Sequence, residues 1–339
     1  MRILVLGSTG YLGAHAAGQL GALAGVRLLG GGRGPGAGLH VDLATTTPRE
    51  LADALREFDP EVVVNCAGAV GGDPVALAEV NARGPAVLAA ALHRSAPRAR
   101  LVHLGSAAEY GTTPHGVRVT ESAATRPAGP YGATKLAGTL TVTASGLDAV
   151  VLRVGNPVGP GAPAAGLPGR LARELYEAGD DPEAVVRLGD LSAFRDFVDA
   201  RDVARAVVLA TTATGPLPPV LNVSGGRAVP VRDLVEALIR VSGFRGRVEE
   251  STKEGSTRSA AVSWQCSDIE AAGSALGWRP EYALEDSVRA LWEAAREAGR
   301  AHGPVPRQRT PGPAPSPVRR KRSSGPPPAP PQRATDVAR

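Results

Sequence analysis

"LVLGSTGYLG", residues 4–13, sets three glycines at three-residue intervals directly behind an apolar run. A run with no polar alternation reads as a strand buried on both faces, and a glycine directly after it allows a tight turn. Gly7 makes that turn, Gly10 lets the backbone approach a bound group, and Gly13 lets the following helix pack closely on the strand. Tyr11 and Leu12 open that helix, whose first N–H groups have no partner within the helix and whose dipole favours an anion. A pyrophosphate is the anion that fits. Gly7, Gly10, Tyr11, Leu12 and Gly13 are therefore expected to line a dinucleotide. The spacing is GxxGxxG rather than GxGxxG, and with 42 glycines a plain strand–helix connection is the alternative. Position behind the first strand favours the binding turn.

The same rhythm continues outward. Apolar runs at 2–6, 26–29, 61–68, 100–106 and 148–154 alternate with amphipathic segments at 47–58, 74–94 and 130–144. Strand, helix, strand at this pitch predicts a parallel sheet with right-handed crossovers and helices on both faces. The expected fold class is α/β, a Rossmann-type doubly wound parallel sheet with a smaller, partly interleaved C-terminal lobe. After Gly155 the rhythm breaks at "NPVGPGAPAAGLPG", and shorter elements follow at 168–178, 200–213, 230–242, 268–275 and 284–299. The expected division is 1–155 for the dinucleotide half, with parts of 192–223 interleaved, 156–300 for the substrate lobe and 301–339 for a tail.

Charge separates the tail from the rest. From Ala301 onward eight basic residues face one acid, Asp336, a net of +7, whereas the first 300 residues hold 30 basic and 32 acidic side chains, a net of −2. Eleven of the 30 prolines lie between 303 and 332 with almost no large apolar residue, a composition that predicts disorder. "RRKR" at 319–322 reads as a solvated run, so no nucleic-acid partner is expected. Cys66 and Cys266 stand 200 residues apart without CxxC or Cys/His spacing, which argues against a metal site or a disulfide framework. The apolar run Ile3–Leu6 stops at Gly7, too short for a signal peptide, and no later stretch reaches spanning length uninterrupted. A cytoplasmic protein without a membrane partner is expected.

The second strand ends "RLLGGGRG", with glycines at 30 to 32 where a dinucleotide site commonly carries an acid for the ribose 2′-hydroxyl. Without that acid a 2′-phosphate meets no repulsion, and Arg33 is placed to bind one. This favours NADP over NAD, against the alternative of an arginine simply pointing into solvent.

"PYGATKLAG", residues 130–138, sets Tyr131 and Lys135 four apart, one above the other on a helix face. Lys135 is one of three lysines among 38 basic residues. A compact ammonium fits a tight site and favours the phenolate of a neighbouring tyrosine. A phenol held this way exchanges a proton with a hydroxyl or carbonyl. Ser106 closes the apolar run "RLVHLGS", at a strand's C-terminal edge where ligand crevices open, and can orient the same oxygen. YxxxK alone is a weak pattern; in order with the glycine turn and the strand-end serine it is specific.

With these residues in place, residues 1 to about 295 resemble the extended short-chain dehydrogenase/reductase family, the NAD-dependent epimerase/dehydratases that modify nucleotide sugars. The resemblance implies that Asp42 and Leu43 in "VDL" flank the adenine, and that Ala67 and Gly68 in "NCAG" and Asn81 in "VNARG" lie at the cofactor. It implies catalytic roles for Ser106 in "GSAAEYG" and for Tyr131 and Lys135. It places Asn156 of "RVGNPVG" on the substrate phosphate, Arg195 of "FRDFVDARDVARA" on the diphosphate, and Arg258, ten before Asp268, as a second phosphate arginine. A homodimer through the helices at 74–94 and 130–144 is likewise implied. Two residues before Tyr110, and beside that position, sugar 4,6-dehydratases of the family carry acids. Here Ala107 and Ala108 occupy those places. Glu109 falls one residue late and, on an extended segment, is expected to point the other way. Dehydration is therefore disfavoured.

The leading expectation is a 4-ketoreductase of a nucleotide-activated (deoxy)hexose using NADPH or NADH. A 4-epimerase that retains NAD uses the same residues, and a non-catalytic dinucleotide sensor on the same fold is a third reading.

Overall fold

The apolar run and glycine turn become strand β1 (Arg2–Leu6) and helix α1 (Tyr11–Gly21) in the computed structural model, which describes residues 1–251 and 262–302. The chain continues through β2 (Arg27–Gly32), β3 (Leu39–His40), α2 (Pro48–Phe58), β4 (Val62–Asn65), α3 (Pro74–Ala78), α4 (Gly84–Ser95), β5 (Arg100–Ser106), α5 (Pro130–Thr143) and β6 (Ala149–Val154). The later elements are β7 (Asn156–Val158), α6 (Leu167–Ala178), β8 (Val185–Leu188), β9 (Phe194–Arg195), β10 (Phe197–Asp199), α7 (Ala200–Thr212), β11 (Val220–Val223), β12 (Val229–Pro230), α8 (Val231–Ser242), β13 (Arg247–Glu250), α9 (Glu270–Leu276) and α10 (Leu284–His302).

Seven parallel strands form the main sheet in the order β11-β6-β5-β4-β1-β2-β3. Side chains alternate between its faces, and both faces are buried. Ile3, Val5, Val64, Val102 and Leu152 join one hydrophobic layer with Ala16, Leu20, Val203 and Val207 of α1 and α7. Leu4, Leu6, Val63, Leu101 and Val151 join the other with Leu51, Leu55, Leu88, Leu92 and Val142 of α2, α4 and α5. That is why these strands read as unbroken apolar runs. A third cluster unites Leu171 and Leu175 of α6, Leu234 and Leu238 of α8, and Leu291 and Trp292 of α10.

Local chemistry sets the helix ends. Thr47 and Glu50 form a reciprocal capping box on α2, which ends at Asp59 in the left-handed region. Asp199 caps α7 through the Arg201 N–H.

Three expectations are corrected. The apolar run at 61–68 is strand only to Asn65, because Cys66 to Ala69 must leave the sheet to form the crevice wall. Pro74–Ser95, a helical stretch of 22 residues with mean hydropathy 1.3, does have the length and composition of a membrane span. Half of it is buried in the protein, and α4 packs against α2 and α5, as a core helix does. The segment after Ser106 is not extended but a 3₁₀ turn, Ala107–Glu109. Two strands of the main sheet were missed as well. β3 has only two residues, and β11 follows a proline-rich loop and owes its pairing to β6.

Candidate active site

Strand order reverses between β1 and β4, so the loops leaving those two strands flank the crevice where ligands bind in open α/β sheets. Gly7 has φ 75°, and a Cβ there would lie 2.7 Å from the Ala67 nitrogen; a Cβ on Gly13 would overlap the Gly7 carbonyl. The turn therefore admits only glycine at both ends. Gly10 is the N-cap of α1 and supplies no side-chain cap. Leu12 packs against the core. The Tyr11 ring faces His15 edge-on, and its hydroxyl lies 3.5 Å from the Gly159 carbonyl. His15 Nε2 lies 2.9 Å from the Pro160 carbonyl, so α1 holds the loop after β7.

On the opposite wall, Asn81 lies in a π-helical turn, Glu79–Arg83, and is buried. Its Oδ1 accepts from the Ala69 N–H at 2.9 Å, while Nδ2 donates to the Ala69 carbonyl at 2.8 Å and the Thr134 hydroxyl at 3.2 Å. Asn81 thus ties the Ala67–Gly68 loop to α5. Two residues that sequence reading missed support this loop and the segment after β3. Asn65 accepts from the Ala67 N–H at 3.1 Å and donates to His103 Nδ1 at 3.1 Å, in the heart of the sheet. Arg83 donates to the carbonyls of Leu43, Ala44 and Thr46, fixing the segment that carries Asp42 and buried Leu43. Arg33 is exposed just past β2, where Gly30 to Gly32 complete the strand.

Ser106 ends β5, and Tyr131 lies in the first turn of α5. The two elements touch at Gly132, where any Cβ would overlap the Ala108 carbonyl of the turn after Ser106. The Ser106 hydroxyl accepts from the Ala108 N–H at 3.2 Å. Lys135, 5% exposed, donates to the Leu104 carbonyl at 2.5 Å. A Cβ on Gly68 would sit 3.9 Å from its Nζ, so the lysine reaches the far wall of the crevice. Burial pulls Lys135 below the usual lysine range, against opposing pulls from Glu109 and Cys66. Burial likewise pushes the Cys66 thiol up to about 12 and holds His103 well below the usual imidazole range, with Lys135 adding to the latter shift. Sequence reading grouped Ser106 with Tyr131 and Lys135, which lie on β5 and α5, two elements packed against each other. It gave no task to Glu109, which is fully buried and turned inward.

Beyond the sheet, Asn156 Nδ2 donates to Gln265 Oε1 at 2.6 Å and to the Asp196 carbonyl at 3.3 Å. Arg195 is buried on β9, where desolvation lowers its pKa; one guanidinium nitrogen donates to the Phe194 carbonyl at 2.7 Å. Beside it the rings of His115, Phe194 and Trp264 meet with centroids 4.1–5.7 Å apart. Asp196 holds this region together: its carboxylate accepts from the Ser267 N–H at 2.8 Å, and burial raises its pKa to about 6. Arg258 lies outside the described residues. No cluster of metal-binding side chains occurs among the described residues.

Residues 3–224 match the NAD-dependent epimerase/dehydratase family. The chain belongs to that family. It is 38% identical over 309 residues to a dTDP-6-deoxy-L-talose 4-dehydrogenase (NAD(P)(+)) of Kitasatospora kifunensis, covering 88% of this chain and 96% of that protein. A UDP-glucose 4-epimerase of Mycolicibacterium smegmatis is 29% identical, over 85% of this chain and 96% of that one. Among solved structures, the UDP-glucose 4-epimerase of Thermus thermophilus in complex with NAD superposes with a TM-score of 0.75 at 26% identity, over 88% of this chain and 100% of that one. These relatives are NAD-dependent dehydrogenases and epimerases of sugar nucleotides, and this member of the family is an enzyme.

Proposed function

We propose that the chain is an NAD(P)-dependent 4-ketoreductase of a nucleotide-activated deoxyhexose, working reversibly as a 4-dehydrogenase. The observation that carries the choice within the family is the pair Ala107 and Ala108, with Glu109 sealed away from the crevice. No acid on that turn can serve an elimination, which leaves chemistry at one carbon. Similarity over 88% of the chain to a 4-dehydrogenase of a 6-deoxy sugar nucleotide supports the same choice.

The crevice fits a dinucleotide because Gly7 and Gly13 form a cradle that a Cβ would fill and α1 opens on it uncapped. The N–H groups of Tyr11, Leu12 and Gly13 would hold the pyrophosphate, while Gly10, whose own N–H donates to the Gly7 carbonyl at 2.9 Å, lets it approach; Asp42 and Leu43 would take the adenine end and Ala67 and Gly68 the middle, with Asn81 fixing the wall. Arg33, beside glycines rather than a carboxylate, favours NADP over NAD. The nicotinamide supplies the hydride donor or acceptor when bound. Tyr131 gives its phenolic proton to the substrate oxygen in reduction and removes it in oxidation. The Lys135 ammonium stabilises the phenolate left behind, and the Ser106 hydroxyl orients the oxygen. Asn156, Arg195 and Arg258 would bind the diphosphate, whose two charges call for charge-assisted bonds.

A 4-epimerase that returns the hydride is the second reading, favoured by the NAD-bound epimerase that shares the fold. Incubation with a dTDP-4-keto-6-deoxyhexose and NADPH, and in parallel with a dTDP-6-deoxyhexose without added cofactor, separates them. Stoichiometric loss of nicotinamide absorbance supports the reductase; interconversion of C4 epimers without it overturns that choice. Two copies are expected to pair through Pro74–Ser95 and α5, where Val75 and Leu140 are 69% and 57% exposed. A monomer in light scattering would remove that part.

A further inference from the structure

Behind Ser106 lies a buried acid–base pair. Glu109 is fully buried, and its carboxylate is saturated: Oε1 accepts from the Ser106 N–H at 2.8 Å and the Thr139 hydroxyl at 2.9 Å, and Oε2 from Arg153 Nε at 2.7 Å. Gly105 makes room for it, since a Cβ there would lie 2.8 Å from Oε1. Arg153 lies on β6, its guanidinium 4.7 Å from the centre of the Tyr110 ring.

We propose that Glu109 is a positioning residue for the reaction, locking the end of β5 to α5 and supplying the counter-charge for buried Lys135; this rests on the active-site reading above. Tyr131, Lys135 and Thr139 follow at four-residue steps along one face of α5. That face is tied to β5 twice, by Lys135 on the Leu104 carbonyl and by Thr139 through Glu109 to Ser106. The two bonds flank Ser106 in sequence and fix the rotation of α5 about its axis, which decides where Tyr131 lies relative to Ser106.

The charge argument follows from what surrounds the lysine. His103 of β5, Cys66 of the loop after β4, Glu109, Tyr131 on its own helix and Arg153 beyond Glu109 are the titratable groups of the elements packed there. His103 and Cys66 are neutral near pH 7, with imidazole and thiol displaced in opposite directions by burial. Glu109 is therefore the anion whose field, partly offset by its own ion pair with Arg153 at 2.7 Å, reaches Lys135. Placing an ammonium in a buried site without one would drive it toward the neutral amine.

Three lysines in the whole chain make this measurable, because a spectrum of 15N-labelled lysine carries three Nζ signals and Lys135→Met assigns one of them. In Glu109→Gln the amide keeps the acceptor oxygen but loses the charge. The Lys135 titration midpoint then falls by about one unit or more. If unpaired Arg153 prevents folding, Glu109→Gln with Arg153→Met removes both charges, and a smaller fall in the same direction is expected, because the more distant Arg153 cation offsets only part of the Glu109 field. Thr139→Val does the reverse, keeping the charge and losing the tie. Its midpoint stays, while kcat falls about tenfold, the loss of one hydrogen bond of about 1.4 kcal/mol, with the KM for cofactor unchanged. A midpoint within about 0.2 units of wild type in the charge variants, or unaltered kcat in Thr139→Val, overturns the proposal. An active Tyr131→Phe instead defeats the active-site reading, whatever Lys135 does.

Discussion

The two walls of the crevice are built in different ways. The β5–α5 seam is buried and internally bonded: Lys135, Glu109, Thr139 and Arg153 are each 5% exposed or less and each bonded inside the protein. The wall from the second half carries Asn156 and Arg195 on strands of three and two residues, and Asn156 meets Gln265 across 109 residues of sequence. Proton transfer tolerates little misplacement, so its groups belong on the ends of long elements with no freedom to turn. Recognition of a flexible diphosphate tolerates more, and short elements can carry it.

If that division of labour is right, variants of the two walls fail in different ways. The largest effect is expected for Tyr131→Phe. Turnover should fall at least about a thousandfold with cofactor affinity within about threefold of wild type, read by nicotinamide absorbance and by fluorescence titration. Next comes Arg195→Ala. Loss of a charged hydrogen bond of about 1.5–3 kcal/mol should raise the KM for the sugar nucleotide about 10- to 100-fold while kcat stays within a few-fold. A collapse of kcat at constant KM would put Arg195 in the chemistry and erase the contrast. Arg33→Ala should weaken NADPH about tenfold and leave NADH nearly unchanged; equal weakening of both would end the preference for NADP.

A last effect, on stability rather than on binding or turnover, concerns the looser wall alone. Asp196 has its folded pKa raised to about 6 from 3.8. A raised acid stabilises the fold fully below its unfolded value, and that contribution is lost as pH rises through the folded value. Between about pH 4 and pH 6.5 the wild type should lose up to about 3 kcal/mol relative to Asp196→Asn, visible as converging or crossing denaturation midpoints. A constant difference between the two across that range would mean that Asp196 stays ionised.

Legibility followed the range of the interactions. Gly7 and Gly13 could be read because a turn one glycine wide makes its demand within ten residues. Tyr131 and Lys135 could be read because a helix turns a four-residue spacing into a shared face. Glu109 was misread on one point, the extended backbone assumed after Ser106. The serine instead starts a 3₁₀ turn, with Glu109 completing its capping box. Nothing local could have revealed the partners of Glu109, because Thr139 and Arg153 lie 30 and 44 residues away. Asn65, His103 and Gln265 were passed over for the same reason: each is an ordinary polar residue until a distant strand or loop faces it.

The amino-acid order alone thus determined the parallel sheet, the glycine turn, and the family; it also supplied the serine, tyrosine and lysine on which the proposed mechanism rests. These rest on steric rules and periodicities that act over a few residues. The folded chain decided what holds those side chains still: the inward turn of Glu109, the clasp of Asn81 on the loop after β4 and the pairing of Asn156 with Gln265. Each joins groups far apart in sequence. Only in the packed interior, where an unpaired polar group is costly, does it matter which of them meet.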